Sequence, residues 1–428
     1  MKSITNYLNS MKSMYFMLLA YVTLLMGVAS CSHGEFANYE PEKQQKYSKA
    51  ELIEQALSRI PQTRAENPNA VIMVTIQDTI AFQCRATETM KVFVDGEEHP
   101  DPITETNKDC NHTFTNGFPS HSITIVGSKE AIRELDVDNN GLIMLNVSGN
   151  TNLTDLSCRD NHLDAIGWTN CPNLWGLYIS NNEFNSVDIT NLPALESFYA
   201  DNNRLTTIKM SKEQKVYELY IQNNLLTELY LSDNQELYSL EVQNNPLKKL
   251  NLKNNTFLGY LNASFTQITD LDLSNDTNLW AIYLNNVPIK IINNQPLSDT
   301  SFSIFTELNH LSIAYTPFES LDLSNNPRVR YIDISGTAIT KLNISDLPMR
   351  DLYATHSKLI NLIYNDLSYL YCLRIERTPF EGDSLNMSSL ASALPPRTES
   401  GPGHLYTYSP WINYFASDFE RINWEINR

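Results

Sequence analysis

The feature that most constrains this chain is a phrase of about 21 residues that returns along most of its length. LTELYLSDNQELYSLEVQNNPL at 226–247 and ITDLDLSNDTNLWAIYLNNVPI at 268–289 carry apolar residues at the same places, with polar residues between them. Each copy has two short alternating stretches joined by a polar turn. Alternation places the apolar side chains of a strand on one face, so each copy predicts two short strands. One copy cannot bury such a face alone, and stacked copies are therefore predicted to form a solenoid.

Twelve copies of this phrase follow one another in a nearly constant register. Most steps are 21 residues, one step is eight residues longer, around 295–306, and one is a residue shorter. The copies begin at Ile132, Leu153, Leu174, Leu195, Val216, Leu237, Leu258, Leu279, Leu308, Val329, Met349 and Leu370. A register kept over this length predicts a solenoid over residues 128–383, because each copy must present its apolar places to the same core.

Two kinds of place within each copy predict what holds the coils together. The fourth and sixth places, such as Leu219 and Ile221, lie on the first strand and are predicted to face the core. The ninth place holds asparagine in the first six copies, where its side chain is predicted to bond backbone groups of adjoining turns. These residues are Asn140, Asn161, Asn182, Asn203, Asn224 and Asn245. From the seventh copy onward the ladder is predicted to be weaker, because the ninth place no longer holds asparagine. The residues there are Thr266, Val287, Thr316, Thr337, Ser357 and Thr378.

The pattern L-x-x-L-x-L-x-x-N-x-L, seen as LYSLEVQNNPL at 237–247, resembles the leucine-rich repeat. The resemblance covers about residues 132–383. In this region the chain is similar to internalin-like proteins and to leucine-rich repeat surface lipoproteins of Bacteroidota. The resemblance implies parallel β coils with two short strands in each repeat. It also implies a non-enzymatic module that binds a partner, in most cases a protein, on the concave face of the array.

The segments on either side of the repeats have other patterns. Residues 31–70 are polar and are predicted to form a tether with one short helix. Residues 71–127 change to strand period, and with a turn signal at Asp95-Gly96 they predict a small antiparallel β-sandwich. The stretches KVFVDGEE and SITIVG resemble, in part, the polycystic-kidney-disease-type sandwich that precedes repeats in many Bacteroidota surface proteins. Residues 384–428 break the period and predict an α/β C-terminal cap over the last coil.

The N-terminus has the pattern of an export signal. Two lysines precede an uncharged run that is too short to span a bilayer comfortably and that ends in VASC at 28–31. VASC resembles a lipobox, so residues 1–30 are predicted to be a bacterial lipoprotein signal and Cys31 the lipidated residue. An ordinary secretory signal is the alternative, and translation can start at Met1 or Met11. The resemblance implies an outer-membrane protein, surface-exposed or periplasm-facing, whose membrane contact is the N-terminal lipid alone.

Net charge and the lack of catalytic motifs exclude several classes of function. The formal net charge is −18, and a chain this acidic is a poor candidate for nucleic-acid binding, which needs clustered Lys and Arg. The sequence has no Gly-rich phosphate loop, no nucleophile elbow and no Cys or His spacing typical of zinc sites. We therefore predict no catalytic residues, no metal and no cofactor. Cys84 and Cys110 share the predicted sandwich, and they are predicted either to form a disulfide or to remain two free thiols.

The outward places of the first strand are predicted to form the recognition surface. The fifth place holds Tyr in three consecutive copies, which predicts a ladder of rings at the spacing between strands, about 4.8 Å. The equivalent place of the second strand holds Tyr only once, at Tyr230, although strand propensity there is the same. Acidic residues outnumber basic ones on this face, which favours a neutral or basic partner. The ligand-binding residues predicted on the concave face are Tyr178, Tyr199, Tyr220, Glu218, Asp201, Glu241 and Tyr283.

Three functions remain open on the sequence alone. The first is binding of a protein ligand on a host or bacterial surface, since Tyr supplies a large contact area with a polar tip at low entropy cost. The second is glycan binding through the same ladder, because aromatic faces also stack on sugars. The third is a structural spacer of the envelope that has no ligand.

Overall fold

The structure is a computed structural model that describes residues 47–60, 69–104, 109–115, 117–212, 214–231, 233–396, 402–413, 415, 419 and 423–427. The predicted lipoprotein signal, Cys31 and much of the predicted tether lie outside the described residues. No helix within the described ranges is long and apolar enough to cross a bilayer.

The N-terminal part of the described chain is a small β-sandwich. Its elements are α1 (Lys49–Leu57), β1 (Val71–Thr75), β2 (Thr79–Ala86), β3 (Lys91–Val94), β4 (Glu97–Glu98), β5 (Asp109–Thr113) and β6 (His121–Val126). β1, β3, β4 and β6 belong to one sheet, and β2 and β5 to the other. Asp95 and Gly96 form the two-residue turn between β3 and β4 with φ values of 47° and 90°, the backbone that Asp-Gly sequences favour in hairpins. The antiparallel sandwich predicted from the strand period is therefore present.

The helix predicted within the tether belongs to this folded unit. Leu52 and Ala56 of α1 are buried. The Ser120 hydroxyl donates to the carbonyl of Leu52 over 2.7 Å, and Arg59 pairs with Asp95 at 3.2 Å. The apolar face of the helix thus packs on the sandwich, so the part of the predicted tether that forms α1 is not a free linker.

The sandwich continues into the repeats through both of its sheets. β7 (Ile132–Asp136) pairs antiparallel with β2, and β8 (Leu142–Asn146) pairs antiparallel with β1. The first repeat therefore extends each sheet of the sandwich, and the two parts share one hydrophobic core. The predicted boundary at 127/128 does not separate two cores, and the sandwich closes the open end of the array.

A long sheet runs through the whole solenoid. From β7 onward its strands pair in parallel, each shifted by one repeat, so that equivalent residues stand side by side. After β7 these strands are Asp155–Ser157, Gly176–Tyr178, Ser197–Tyr199, Glu218–Tyr220, Ser239–Glu241, Tyr260–Asn262, Ala281–Tyr283, His310–Ser312, Tyr331–Asp333, Asp351–Tyr353, Cys372–Arg374, Gly403–Tyr406 and Trp424–Asn427. Counting β7, each of the twelve predicted repeats contributes one strand, and the cap adds the last two. The predicted leucine-rich repeat solenoid is confirmed.

The strands of the opposite wall have two or three residues each after β8. After β8 they are Ile166–Gly167, Ser186–Asp188, Thr207–Lys209, Asp270–Leu271, Ile291–Ile292, Gln295–Pro296, Lys341–Asn343 and Asn361–Ile363. The insertion predicted around 295–306 forms a hairpin, because Gln295–Pro296 pairs antiparallel with Ile291–Ile292. It then buries Phe302 and Phe305 completely, so the extra residues help to fill the core.

The asparagine ladder holds neighbouring coils together in the first half of the solenoid. The Asn224 amide nitrogen donates to the carbonyls of Ala200 at 2.9 Å and Ile221 at 3.0 Å. Its amide oxygen accepts from the backbone N–H of Leu205 at 2.9 Å. Asn182, Asn203 and Asn245 repeat this pattern. Each side chain therefore serves its own turn and the preceding coil at once.

Threonine takes over this role in the second half. The hydroxyl of Thr266 donates to the carbonyl of Ala263 at 2.8 Å, and that of Thr337 to Ile334 at 2.6 Å. Both acceptors belong to the same turn as the donor. The threonine bonds therefore close single turns, whereas the asparagine bonds also cross from one coil to the next.

The C-terminal cap combines a helix with two strands. A 3-10 helix (Phe380–Gly382) leads into α2 (Ser384–Ala393), whose first N–H groups are capped by the Asp383 carboxylate. Glu381, only 6% exposed, accepts hydrogen bonds from the backbone N–H of Arg377 at 2.6 Å and of Tyr408 at 2.7 Å, and from the Thr407 hydroxyl at 2.5 Å. This carboxylate ties the last repeat to the cap, which fits the predicted α/β arrangement.

Candidate functional site

The centre of the candidate site is the aromatic ladder, which we define as Tyr178, Tyr199 and Tyr220. The three residues stand side by side at the ends of neighbouring parallel strands. The residue before each one is buried in the core, so the Tyr rings point outward. The rings of Tyr178 and Tyr199 meet edge to face at 5.0 Å, and those of Tyr199 and Tyr220 stack at 4.4 Å. The predicted ladder is thus a continuous contact between three rings.

Charged groups border the aromatic ladder on both sides. The Arg159 guanidinium lies 4.6 Å from the centre of the Tyr178 ring and 5.7 Å from that of Tyr199, as in cation–π contacts. The Tyr199 hydroxyl donates to the Glu218 carboxylate over 2.6 Å. Burial, together with the charge of Glu218, raises the pKa of the Tyr199 phenol, so this ring stays neutral at ordinary pH. The ladder therefore already holds one guanidinium and orients one carboxylate.

Three carboxylates on this face lack a cationic partner. Glu218 accepts from the Ser197 hydroxyl at 3.3 Å, and Glu241 accepts from the Gln243 amide at 2.9 Å. Burial raises the pKa of the Glu241 carboxyl. Among the described residues, Asp201, Glu218 and Glu241 take part in none of the ion pairs. Hydroxyl and amide groups donate to these carboxylates, but no cation among the described residues pairs with them, which favours a ligand that carries a cation.

Tyr283 belongs to a different part of the face. Glu241 and Asn262 separate it from the aromatic ladder, its ring contacts Tyr260 at 5.6 Å, and it is only 7% exposed. We call the group around it the C-terminal cluster. Its members are Tyr260, Trp280, Tyr283, His310, Tyr331 and Tyr353.

The C-terminal cluster is a chain of ring contacts along the sheet. Trp280 meets His310 edge to face at 5.9 Å, His310 stacks on Tyr331 at 5.5 Å, and Tyr331 lies 5.3 Å from Tyr353. Burial, with the nearby Arg350 and Arg330, lowers the pKa of the His310 imidazole to about 4. The cluster therefore presents a neutral, largely aromatic surface beside the acidic one.

Sequence reasoning missed most of this cluster because it looked for aromatic residues only at the fifth place of each repeat. The third place also points outward and holds Tyr260, His310 and Tyr331. A count of aromatic residues at that place was the available signal. The contact of Tyr260 with Trp280 needed the structure, because Trp280 precedes its strand.

A second stack of rings lies directly before two neighbouring strands of the long sheet, Glu218–Tyr220 and Ser239–Glu241. Tyr217 and Tyr238 are nearly parallel, with an interplanar angle of 4° and ring centres 5.0 Å apart. The next repeat has Gly259 at this place, where a Cβ would lie 2.7 Å from the Tyr238 ring and 3.1 Å from that of Trp280. Glycine thus allows two large rings to close over the backbone and extends the aromatic surface towards the C-terminal cluster.

Tyr230 behaves as the sequence comparison predicted for a residue outside the site. It is 79% exposed on the opposite wall, where it bridges to Asn251, and its hydroxyl donates to the adjacent Glu228. No ring contact of Tyr230 occurs in the described part of the chain. It provides a matched control for the aromatic ladder.

Cys84 and Cys110 lie on the paired strands β2 and β5, but both thiols are free. The register sets Cys110 opposite Phe82, so Cys84 is its diagonal neighbour. Diagonal residues in an antiparallel pair are about 7–8 Å apart, beyond the usual Cα separation of a disulfide. Burial raises the pKa of both thiols, to about 12 for Cys84 and about 11 for Cys110. The disulfide alternative is therefore not present in this structure, and the pair has the character of core residues.

No group of three or more His, Cys, Asp or Glu side chains in the described ranges has the geometry to hold a metal ion. The chemical groups described on the outward face are aromatic rings, hydroxyls and carboxylates.

Comparisons with known proteins find likeness in fold. No protein-family model and no curated protein matches the sequence. The functional domain of InlJ from Listeria monocytogenes is 20% identical over 64% of this chain and 74% of that chain, with a TM-score of 0.39. YopM, a leucine-rich effector protein from Yersinia pestis, is 22% identical over 58% and 84%, with a TM-score of 0.42. The LRIM1/APL1C complex matches with 15% identity over 67% and 62%, and a TM-score of 0.46. At these values the function has to be argued from this chain's own residues.

Proposed function

We propose that this chain is a non-enzymatic binding protein whose partner is a protein, with the aromatic ladder at the centre of the site. The observation that carries the proposal is the contact of three outward Tyr rings beside carboxylates without a cationic partner. Aromatic anchors at the middle of an interface supply most of its binding energy, and bordering charges select the partner. A partner segment that presents Arg or Lys would pair with Glu218 and Asp201 while its neighbouring side chains cover the rings.

The ring geometry favours a protein over a glycan. A sugar ring stacks on a free aromatic face, but Tyr199 and Tyr220 turn their faces towards each other, and Tyr217 and Tyr238 do the same. The faces that meet within each stacked pair are therefore closed to a pyranose ring. Such a surface suits peptide groups and cationic side chains better than flat pyranose faces.

The place of action that we propose is the bacterial envelope, with Cys31 as the lipidated residue. The VASC motif at 28–31 supports this part of the proposal. Replacing Cys31 with Ala should release the protein from the membrane fraction and abolish incorporation of labelled fatty acid. A variant that stays membrane-bound and labelled would contradict the lipid anchor.

The aromatic ladder is tested by Tyr199→Ala in the mature chain. Tyr199 contacts both other ladder rings and Glu218, so its truncation should weaken partner binding by at least about tenfold. The measurement is quantitative capture of envelope and host-surface proteins, followed by titration of whichever protein is lost with Tyr199→Ala.

Tyr230→Ala is the matched control, because it removes the same side chain from the opposite wall. Both variants must melt at the parent temperature before their binding is compared. Equal affinity of parent and Tyr199→Ala would reject the aromatic ladder as the site and leave the insertion at 295–306 as the next candidate. If parent and Tyr230→Ala instead bind a polysaccharide array equally well and Tyr199→Ala binds it more weakly, the glycan alternative is established.

A further inference from the structure

A second ladder of asparagines runs through the turns that lead back to the long sheet. The Asn255 amide donates to the carbonyls of Leu231 at 3.1 Å and Asn234 at 2.7 Å, which are 24 and 21 residues earlier. Asn326 makes the same two bonds, at 2.9 and 2.8 Å. The amide oxygens of Asn255 and Asn326 have no hydrogen-bond partner among the described residues. At this position of the repeat, Asn255 and Asn326 therefore act only as hydrogen-bond donors, and the acceptors are carbonyl oxygens of the preceding coil.

Asp276 occupies this place in the next coil after Asn255. Its backbone forms the same turn, because its N–H donates to Leu273 at 3.0 Å and its carbonyl accepts from Leu279 at 3.1 Å. The side chain is 0% exposed, and neither carboxylate oxygen has a hydrogen-bond partner among the described residues. By the register of the ladder, the acceptors of the preceding coil here are the carbonyls of Leu252 and Asn255. An ionised carboxylate can only repel them.

Among the described residues, no cation compensates the charge of an ionised Asp276. On its own coil the charged neighbour is Asp272, and the two negative charges repel each other. The charge of Lys253, on the preceding coil, favours the ionised form of Asp272, which is more exposed than Asp276. The following coil has Phe305 at the equivalent place, so that side is apolar. Burial and Asp272 raise the pKa of the Asp276 carboxyl to about 7.

We propose that Asp276 is a proton-binding site in the wall of the solenoid that makes its coil a pH-sensitive joint. Protonated, the carboxylic acid donates its O–H to a carbonyl of the preceding coil and replaces one of the two bonds that asparagine makes. Ionised, it has no donor and faces those carbonyls with a charge, which loosens the coil. The same coil carries Trp280 and Tyr283, so this loosening falls within the C-terminal cluster.

The direction of the pH effect follows from the two states of the chain. An exposed Asp in the unfolded chain loses its proton near pH 4, whereas folded Asp276 keeps its proton to about pH 7. The folded state therefore binds more protons between these values, and its stability falls as pH rises from about 4 to 7. Above pH 7 the loss is complete.

The test compares Asp276→Asn with the parent at pH 5 and pH 8. Asparagine supplies both N–H donors at either pH, so this variant should melt at a higher temperature than the parent, with the larger gain at pH 8. Hydrogen exchange of peptides within 268–289, corrected for intrinsic rates, should show at least about tenfold slower opening in Asp276→Asn at pH 8.

The reciprocal variant is Asn255→Asp, which places the same acid one coil earlier. It should lower the melting temperature at pH 8 more than at pH 5 and so add to the pH dependence of the parent, which still carries Asp276. If Asn255→Asp does not fold, Asp276→Asn still decides the question. Parent and Asp276→Asn with the same change in melting temperature between pH 5 and 8 would overturn the proposal.

Discussion

The two halves of the solenoid satisfy the same turn in different ways. In the second to sixth repeats the ninth-place asparagines bond their own turn and also the preceding coil, as Asn224 does with Ala200 and Leu205. Asn140 of the first repeat bonds Ala81 of the sandwich instead. In the later repeats Thr266 and Thr337 bond only within their own turns. The aromatic ladder lies on the asparagine half, and the C-terminal cluster lies on the threonine half. The proposed binding site therefore stands on the half whose ninth-place side chains also bond the preceding coil.

Buried titratable groups without hydrogen-bond partners sharpen this contrast. Asp276 and His310 both lie in repeats beyond Asn245, and each has a buried side-chain atom with no hydrogen-bond partner among the described residues. The half that lacks the asparagine ladder thus also contains groups whose protonation changes its stability.

The largest expected effect comes from breaking the ladder at Asn224. Asn224→Leu leaves the N–H of Leu205 unpaired in the core and removes one of the two amide bonds to the carbonyl of Ala200, the other coming from Asn203. It should lower the free energy of unfolding by about 3 kcal/mol. Thr337→Val is the matched change in the other half and should cost about 1 kcal/mol, since it removes one bond within a turn. Chemical unfolding of both variants measures the difference. Equal losses would remove the distinction between the two halves.

A smaller effect is expected from His310 at mildly acid pH. Its folded pKa of about 4 lies below that of an unfolded His, about 6.5, so the unfolded chain binds the extra proton and stability falls as pH drops between these values. At pH 5.5 this should cost about 1 kcal/mol relative to pH 7.5. His310→Phe keeps a ring between Trp280 and Tyr331 but cannot take up the proton.

The measurement is the change in melting temperature of parent and His310→Phe between pH 7.5 and 5.5. The variant should lose less stability on acidification than the parent. Acidification destabilises the fold through His310 but stabilises it through Asp276, so the two effects on the melting temperature have opposite signs. The effect of His310→Phe should therefore be clearest when both proteins also carry Asp276→Asn. An identical acid response in parent and His310→Phe would show that this imidazole titrates freely.

Much of the fold could be predicted because the repeat is local. Alternation of Leu and polar residues determines which side chains of each strand are buried, and a constant 21-residue step determines that Tyr178, Tyr199 and Tyr220 align. The asparagine ladder followed from the same register. Each of these predictions depends only on neighbours that every repeat shares.

The ends of the array could not be predicted in the same way, because they are not periodic. The cap strands Gly403–Tyr406 and Trp424–Asn427 join the long sheet without the repeat signature. The antiparallel pairing of β7 with β2 and of β8 with β1, which makes the sandwich continuous with the solenoid, depends on long-range strand choice. The diagonal register of Cys84 and Cys110 is a choice of the same kind.

By itself, the sequence determined the period, the inward and outward sides of each strand and the alignment of equivalent residues, since these follow from backbone alternation and stacking. Only the tertiary structure decided which outward side chains from different places meet, as Tyr260, Trp280 and Tyr283 do. It also decided that Asp276 is buried with no hydrogen-bond partner for its carboxylate among the described residues. The physical reason is that a contact between unlike places depends on side-chain direction and on the preceding coil, and neither is written in the repeat.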